Sequence, residues 1–241
     1  MLTQLLDYVI TGQEPASLSR RELLRDMPRD LAVLGGLGFL LQSSGSHAAT
    51  TVKKLGNYPI MDMDGRYRNY SKKEAPIVNV PASEIHQYPA GIGNYLKWEG
   101  NPRAGKPAVL AFGSHWCGPC GANMPFLEQL YQNLTYRDVQ VVGINLFDPD
   151  TEPLGETLQK TKEKIKEKKA TYPNFMASAN SIGAMVGDHV PEGARFPQIL
   201  LVNMPSAEVK FVTQYLFELG ESGLHPSTDL RKLYQHIDRL K

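Results

Sequence analysis

Short apolar runs alternate with amphipathic stretches in the second half of the chain. Residues 107–113 (PAVLAFG) form an apolar run that ends at a turn-prone Gly-Ser pair, which predicts a buried strand. A second apolar run at 138–145 (DVQVVGIN) predicts another strand, and 199–202 (ILLV) predicts a third with Pro197 just before it. The pattern therefore predicts an α/β domain.

Between the first two predicted strands, apolar side chains recur at helical spacing. The residues on this stripe are Met124, Leu127, Leu130, Tyr131 and Leu134. Pro125 lies inside the pattern, and we expect it to kink the helix rather than end it. A strand, a helix and a strand in this order favour parallel pairing of the two strands.

The N-terminal region carries a separate signal. Residues 31–41 (LAVLGGLGFLL) are too few to span a bilayer but are typical of a signal-peptide core. A small-x-small arrangement follows at 46–48, and Arg20-Arg21 upstream resembles the twin-arginine export consensus. We therefore favour export.

A structural interpretation of the same region competes with export. Ser19 and Glu22 form a capping box, which is typical of a helix start. The predicted organisation is a signal peptide or N-terminal helical extension at 1–48, a strand-rich lead-in at 49–74 and the main domain at 75–241.

Composition excludes few functions. The chain is 41% hydrophobic and 21% charged, which is ordinary for a globular protein. Its 26 basic and 25 acidic residues give a net charge of +1, so nucleic acid is not an expected partner. The one concentrated charge run, 160–169, holds six lysines and two glutamates and predicts a solvated helix face. A docking patch for an acidic partner is the alternative interpretation of this run.

The chain has only two cysteines, Cys117 and Cys120, and both lie in the motif Trp-Cys-Gly-Pro-Cys at the predicted helix start. A helix N-terminus favours the thiolate of the first cysteine, and this thiolate is the nucleophile of thiol–disulfide exchange. The second cysteine then resolves the mixed disulfide. We predict redox chemistry here, because a structural zinc site needs four ligands and no second ligand pair has suitable spacing.

Four motifs occur together in residues 75–241: WCGPC at 116–120, the Met-Pro pair on the following helix, VVGIN at 141–145 and Phe196-Pro197. With these motifs, this part of the chain resembles the exported TlpA/ResA-like branch of the thioredoxin superfamily. The resemblance implies a thioredoxin-like fold with a central mixed sheet flanked by helices, and a cis Pro197 that faces the dithiol. It also implies that Phe196 and Pro197 hold an extended substrate strand, while Trp116 shields one side of the dithiol.

The chain departs from this branch at several positions. Relatives often carry a carboxylate or amide where Ala111 stands and a glutamate where Asn123 stands, so both usual proton acceptors near the second thiol are missing. Gln198 replaces a small hydroxyl residue, and the bulk of Phe196 is expected to narrow the range of substrates. His115 is a candidate tuning residue, because an imidazolium beside the motif would stabilise the Cys117 thiolate; a loop histidine without a role is the alternative.

The resemblance implies a thiol–disulfide oxidoreductase that reduces disulfides in exported proteins, since Gly-Pro between the cysteines resembles reducing thioredoxins. We expect no cofactor and no metal, a disulfide-containing protein as substrate, a membrane or thioredoxin-type electron donor, and a periplasmic monomer, with the cytoplasm as the alternative compartment.

Two other functions remain open on the sequence. A copper or other metal chaperone would use the dithiol with a histidine such as His115 or His189, although His189 and Glu192 are more typical of ordinary loop residues. A redox-idle binding module is the second alternative. A peroxidase is disfavoured, because the Thr-x-x-Cys arrangement is absent around Cys117.

Overall fold

A five-stranded sheet forms the centre of the computed structural model, which describes residues 54–186, 196–204, 206–220 and 223–240. The predicted signal peptide or helical extension at 1–48 lies outside the described residues, as do His189 and Glu192. The strands are β1 (Ala108–Gly113), β2 (Gln140–Phe147), β3 (Asn174–Ser178), β4 (Gln198–Asn203) and β5 (Glu208–Thr213).

The sheet is mixed, as the resemblance implied. Its order is β3-β2-β1-β4-β5, in which β1, β2 and β3 run parallel while β4 and β5 pair antiparallel. All three strands predicted from apolar runs are therefore confirmed, with the second one shifted two residues towards the C-terminus. A separate hairpin is formed by β6 (Phe217–Gly220) and β7 (Gly223–Pro226).

Helices connect and cover these strands. They are α1 (Ile92–Tyr95), α2 (Gly118–Gln132), α3 (Leu154–Glu167), α4 (Ala179–Val186) and α5 (Thr228–Asp238), with short 3₁₀ segments at Ala82–Gln87 and Leu134–Tyr136. Helices α2 and α3 link the parallel strands, as parallel pairing requires a crossover. Within the described segments, no helix combines the length and apolar character needed to cross a membrane.

Alternate residues of the central strands pack into two hydrophobic cores, one on each face of the sheet. Val109 points into a core with Leu127 of α2 and Leu233 of α5. Leu110 points into the opposite core, which also holds Ile60 and Ile182. Because both faces of the sheet are covered, the sequence of β1 is a continuous apolar run rather than an alternation of apolar and polar residues.

Helix α2 differs from its prediction at its C-terminal end. Pro125 lies inside the helix, as expected, and the buried stripe includes Met124, Leu127 and Leu130. The helix ends at Gln132, however, and Leu134 is 84% exposed in the 3₁₀ turn that follows. The assignment of Leu134 to the buried stripe was therefore wrong, because the chain leaves the helix before the spacing can bring this residue inwards.

The described part of the lead-in, 54–74, joins the sheet through isolated bridges rather than named strands. Met61 exchanges two backbone hydrogen bonds with Met176 of β3, at 2.8 and 2.9 Å. At the opposite edge, Lys54 bridges to Glu208 of β5. The lead-in thus contacts both outer strands, while the domain boundaries stay a prediction.

Truncating a core leucine should measure how much the central sheet depends on packing. Leu200 of β4 is fully buried, so Leu200→Ala should lower the free energy of unfolding by about 2–5 kcal/mol through lost burial and a residual cavity. Urea unfolding monitored by circular dichroism measures this change. The control is Leu134→Ala, at an exposed site, which should stay within about 0.5 kcal/mol of the parent. Equal effects of the two substitutions would contradict the assignment of Leu200 to the core.

Candidate active site

The two cysteines lie where the chain passes from β1 into α2, and they are joined as a disulfide. Cys117 is the N-cap of α2 and adopts extended backbone angles, while its sulfur accepts a hydrogen bond from the N–H of Cys120 at 3.2 Å. Pro119 lies in the first turn of the helix, where it has no N–H that would need a partner. Cys117 and Cys120 are only 5% and 8% exposed, so the disulfide is sheltered within the first turn.

The end of β1 approaches Cys120 closely. A Cβ atom at Gly113 would lie 3.0 Å from both Cβ and Sγ of Cys120, closer than such contacts normally are. Glycine is therefore favoured by space rather than by backbone angle at this position. A side chain at Gly113 would require Cys120 to shift by a few tenths of an ångström.

The proline predicted to face the dithiol lies beside it. The Phe196–Pro197 peptide bond is cis, which confirms the expected geometry. Gln198, the first residue of β4, pairs with Phe112 of β1, and this register places Pro197 next to the strand end that carries Cys120. Pro197 and Cys120 line the same small cavity, of about 20 Å³.

This cavity contains no carboxylate among the described residues that line it. Its polar lining residues are Ser114, Asn123, Asn145, Tyr172 and Asn174, and its apolar ones include Ala111 and Ile199. The Ser114 hydroxyl is buried without a hydrogen-bond partner in the described part of the chain. The second thiol therefore has neutral polar neighbours in this cavity.

Asn123 has a structural use in this chain. Its amide nitrogen donates to the carbonyl of Gln214 at 2.8 Å, and its Oδ1 accepts from the N–H of Leu216 at 2.9 Å. These two bonds tie α2 to the segment that leads from β5 to β6. An ionised glutamate has no donor for the Gln214 carbonyl, which gives a physical reason for the amide.

A lysine from α3 reaches the active-site loop. Lys164 Nζ donates to the carbonyl of Cys117 at 2.6 Å and to that of His115 at 2.8 Å. Burial, with a smaller contribution from Lys168, lowers the pKa of Lys164 to about 8. The prediction that run 160–169 forms a solvated face is therefore wrong for Lys164, which lies on the inward side of the helix.

The spacing of residues along α3 indicates that Lys164 lies on the inward side of the helix. Thr157 and Thr161 are buried, and Lys164 follows at the next helical step on the same side. The concentration of lysines hid this stripe, because charge runs normally lie in solvent.

The His115 ring faces an acid. Its Nε2 lies 3.4 Å from Glu152 Oε2, while its Nδ1 is buried and has no partner among the described residues. Burial lowers the pKa of His115, and the Glu152 carboxylate only partly opposes this change. The ring is therefore mainly neutral at pH 7, which weakens the proposed imidazolium effect. A tuning role for His115 stays a prediction.

Trp116 forms the outer side of the site. It is 65% exposed, and a groove of about 250 Å³ lies between it and the end of β2. The groove is lined by His115, Trp116, Leu146, Asp148, Thr151, Glu152 and Thr157. Such a groove next to a disulfide can accept side chains of an extended peptide.

The described residues hold no group of three or more histidine, cysteine or acidic side chains suited to a metal ion. His189, the other histidine of the metal-chaperone alternative, lies outside them. The structure places Pro197 beside Cys120 and Lys164 beside Cys117.

A central mixed sheet, a disulfide at the first turn after its middle strand and a neighbouring cis proline define a dithiol protein of thioredoxin-like fold. The chain belongs to the AhpC/TSA family, whose model matches residues 72–202, more than half of the sequence.

Similarity to individual proteins is more limited. The chain is 38% identical over 42 residues to the thiol–disulfide oxidoreductase ResA of Oceanobacillus iheyensis, a match that covers 17% of this chain and 22% of that protein. Among solved structures, a thiol:disulfide interchange protein of Chlorobium tepidum is 19% identical, covers 79% of this chain and 100% of its own, and has a TM-score of 0.46. A thiol:disulfide interchange protein from Bacteroides sp. is 15% identical, with coverages of 78% and 91% and a TM-score of 0.47.

The structural use of Asn123 can be tested by removing its amide. Asn123→Leu should lower the free energy of unfolding by about 1–3 kcal/mol, because buried backbone groups of residues 214 and 216 lose these partners. Chemical unfolding of the oxidised protein measures the change. Gln129→Leu, on the exposed side of the same helix, is the matched control. A loss no larger than that of the control would argue against this role.

Proposed function

We propose that the protein is a thiol–disulfide oxidoreductase that reduces disulfides of protein substrates through Cys117 and Cys120. The observation that carries this proposal is the disulfide at the N-terminal turn of α2, next to a cis proline. A helix N-terminus stabilises a thiolate at the N-cap position, and Cys117 occupies that position.

The proposed reaction starts from the reduced dithiol. The Cys117 thiolate attacks one sulfur of the substrate disulfide; a Cys117–substrate bond forms, the substrate disulfide breaks, and its departing sulfur takes a proton from solvent. Cys120 then attacks Cys117, and the Cys117–Cys120 bond forms as the second substrate sulfur leaves. The Cys120 proton goes to that departing sulfur. Two electrons pass to the substrate, and the protein is left oxidised.

Delivery of the Cys120 proton to the departing sulfur fits the surroundings of Cys120. The cavity beside it is lined by neutral side chains, so no carboxylate in this lining competes for the proton. The departing thiolate is itself a base of suitable strength, since an ordinary thiol has a pKa of about 8.5.

We propose that the substrate binds as an extended strand beside Pro197. Proline lacks an N–H, so pairing in this region would use the backbone of Phe196. The groove beside Trp116 would accept substrate side chains on the other side of the dithiol. The exposure of Trp116 supports this assignment, because an exposed aromatic ring provides contact area at low entropic cost.

We also propose that the protein acts outside the cytoplasm and receives electrons from a membrane or thioredoxin-type donor. The support is the sequence of residues 1–48, with paired arginines, an apolar core and a small-residue site in that order. An oxidising compartment would leave the dithiol oxidised unless a donor reduced it again.

Substitution of each cysteine tests the two steps separately. Cys117→Ser should abolish reduction of a model disulfide, because no nucleophile remains at the N-cap. Cys120→Ser should stop at a mixed disulfide between Cys117 and the substrate, detectable by mass spectrometry and released by an added thiol. Ser114→Ala, which leaves both sulfurs in place, controls for general damage near the site. Reduction at the parent rate by Cys117→Ser would rule out this mechanism.

The reduction potential tests the direction of electron flow. Thioredoxin has a potential of about −270 mV, and strongly oxidising dithiols have one of about −120 mV. We expect the potential of this protein to lie nearer to that of thioredoxin. Equilibration with glutathione, followed by separation of the oxidised and reduced forms, measures it. A value at the oxidising end would reverse the proposed direction while leaving the exchange chemistry intact.

A further inference from the structure

We propose that Lys164 is a positioning residue that stabilises the Cys117 thiolate and so raises the reduction potential of the dithiol. This inference rests on the proposed function, but it concerns a residue outside the cysteine motif, on a different helix.

The first support is the geometry of the two hydrogen bonds. Lys164 Nζ lies 2.6 Å from the carbonyl oxygen of Cys117, which belongs to the same residue as the nucleophilic sulfur. It also lies 2.8 Å from the carbonyl oxygen of His115. Both partners are neutral main-chain groups, so neither bond neutralises the ammonium charge. The side chain therefore fixes the loop on both sides of Trp116 and keeps a positive charge near Cys117.

The second support is the space that α2 leaves for this side chain. A Cβ atom at Gly121 would lie only 2.8 Å from Cε of Lys164 and 3.4 Å from Cε of Lys168. Glycine directly after the motif thus lets the lysine stem pass across the first turn of α2. The two positions are far apart in sequence but are sterically matched.

The charged side chains around Lys164 do not cancel its effect on the Cys117 thiolate. On its own helix, Lys168 forms an ion pair with Glu167 at 2.9 Å. In the neighbouring loop, Glu152 pairs with Lys160 and faces His115. Glu167 and Glu152 are thus both engaged with other cations. A positive charge and a helix N-terminus then act on the same sulfur, and both favour its ionised form.

Stabilising the thiolate stabilises the reduced protein, because only the reduced form carries that thiolate. A dithiol whose reduced form is stabilised is a stronger oxidant. Lys164 would therefore set the potential above the value that the Cys-Gly-Pro-Cys motif and the helix would produce alone.

The experiment compares the full-length parent with Lys164→Met, Lys164→Arg and the control Lys166→Met, an exposed lysine of the same helix. Thiolate absorbance of the reduced proteins against pH measures the Cys117 pKa, and glutathione equilibration measures the potential. For Lys164→Met we expect a Cys117 pKa higher by about one unit. The oxidation equilibrium should shift by up to about tenfold towards the disulfide, corresponding to about 30 mV. Lys164→Arg should retain most of the parent behaviour.

A double substitution separates charge from general disturbance. Gly121→Ala should displace the lysine stem and shift the Cys117 pKa in the same direction as Lys164→Met. In the Lys164→Met background, Gly121→Ala should produce little further shift, since both changes act through one side chain. Additive shifts would contradict the proposed coupling.

The outcomes distinguish this inference from the proposed function. If Lys164→Met shifts the pKa and potential no more than Lys166→Met, the inference is wrong while the exchange activity of the parent stands. If the parent protein itself exchanges no disulfide, the proposed function is wrong whatever the thiol pKa.

Discussion

Pairing of β1 on both of its edges is the constraint on which the rest of the site depends. Its parallel partner β2 and antiparallel partner β4 hold β1 in the middle of the sheet, with apolar cores on both faces. Because β1 and β4 run in opposite directions, the end of one lies beside the start of the other. The cysteines follow Gly113 and the cis proline precedes Gln198. Strand register alone therefore brings the cysteine motif and Pro197, which are distant in sequence, next to each other.

Groups outside the motif determine the surroundings of the dithiol. Asn123 ties α2 to the segment between β5 and β6, and no carboxylate lines the cavity beside Cys120. A cation enters from the other side, through Lys164 on α3. The groups near the motif thus include an ammonium that favours a thiolate, while the cavity beside Cys120 has no carboxylate to accept a proton. Asn123 lies on α2 beyond the motif and Lys164 lies on α3, so both groups are outside the Trp-Cys-Gly-Pro-Cys segment itself.

Sequence reasoning was accurate where local chemistry or a long apolar run dominates. The three central strands and the helix after the motif could be predicted, because burial on both faces and helical spacing leave direct signals. The cis proline was expected only from the resemblance to thioredoxin-like proteins. Leu134 was misassigned because helical spacing does not report where a helix ends. Lys164 was missed for a different reason. Its role depends on which side of α3 faces the sheet, and Gly121, which makes room for it, lies 43 residues earlier in the chain.

The bridges made by residues 54–61 have a consequence for colloidal behaviour. Outer strands of an open sheet offer unpaired N–H and C=O groups, and such edges promote association between molecules. Here Met61 occupies part of the β3 edge and Lys54 part of the β5 edge, so a single short segment shields both ends of the sheet. A shortened version beginning at residue 75 would keep the dithiol but uncover both edges. Such a shortened protein would self-associate at high concentration while its thiol chemistry was still intact.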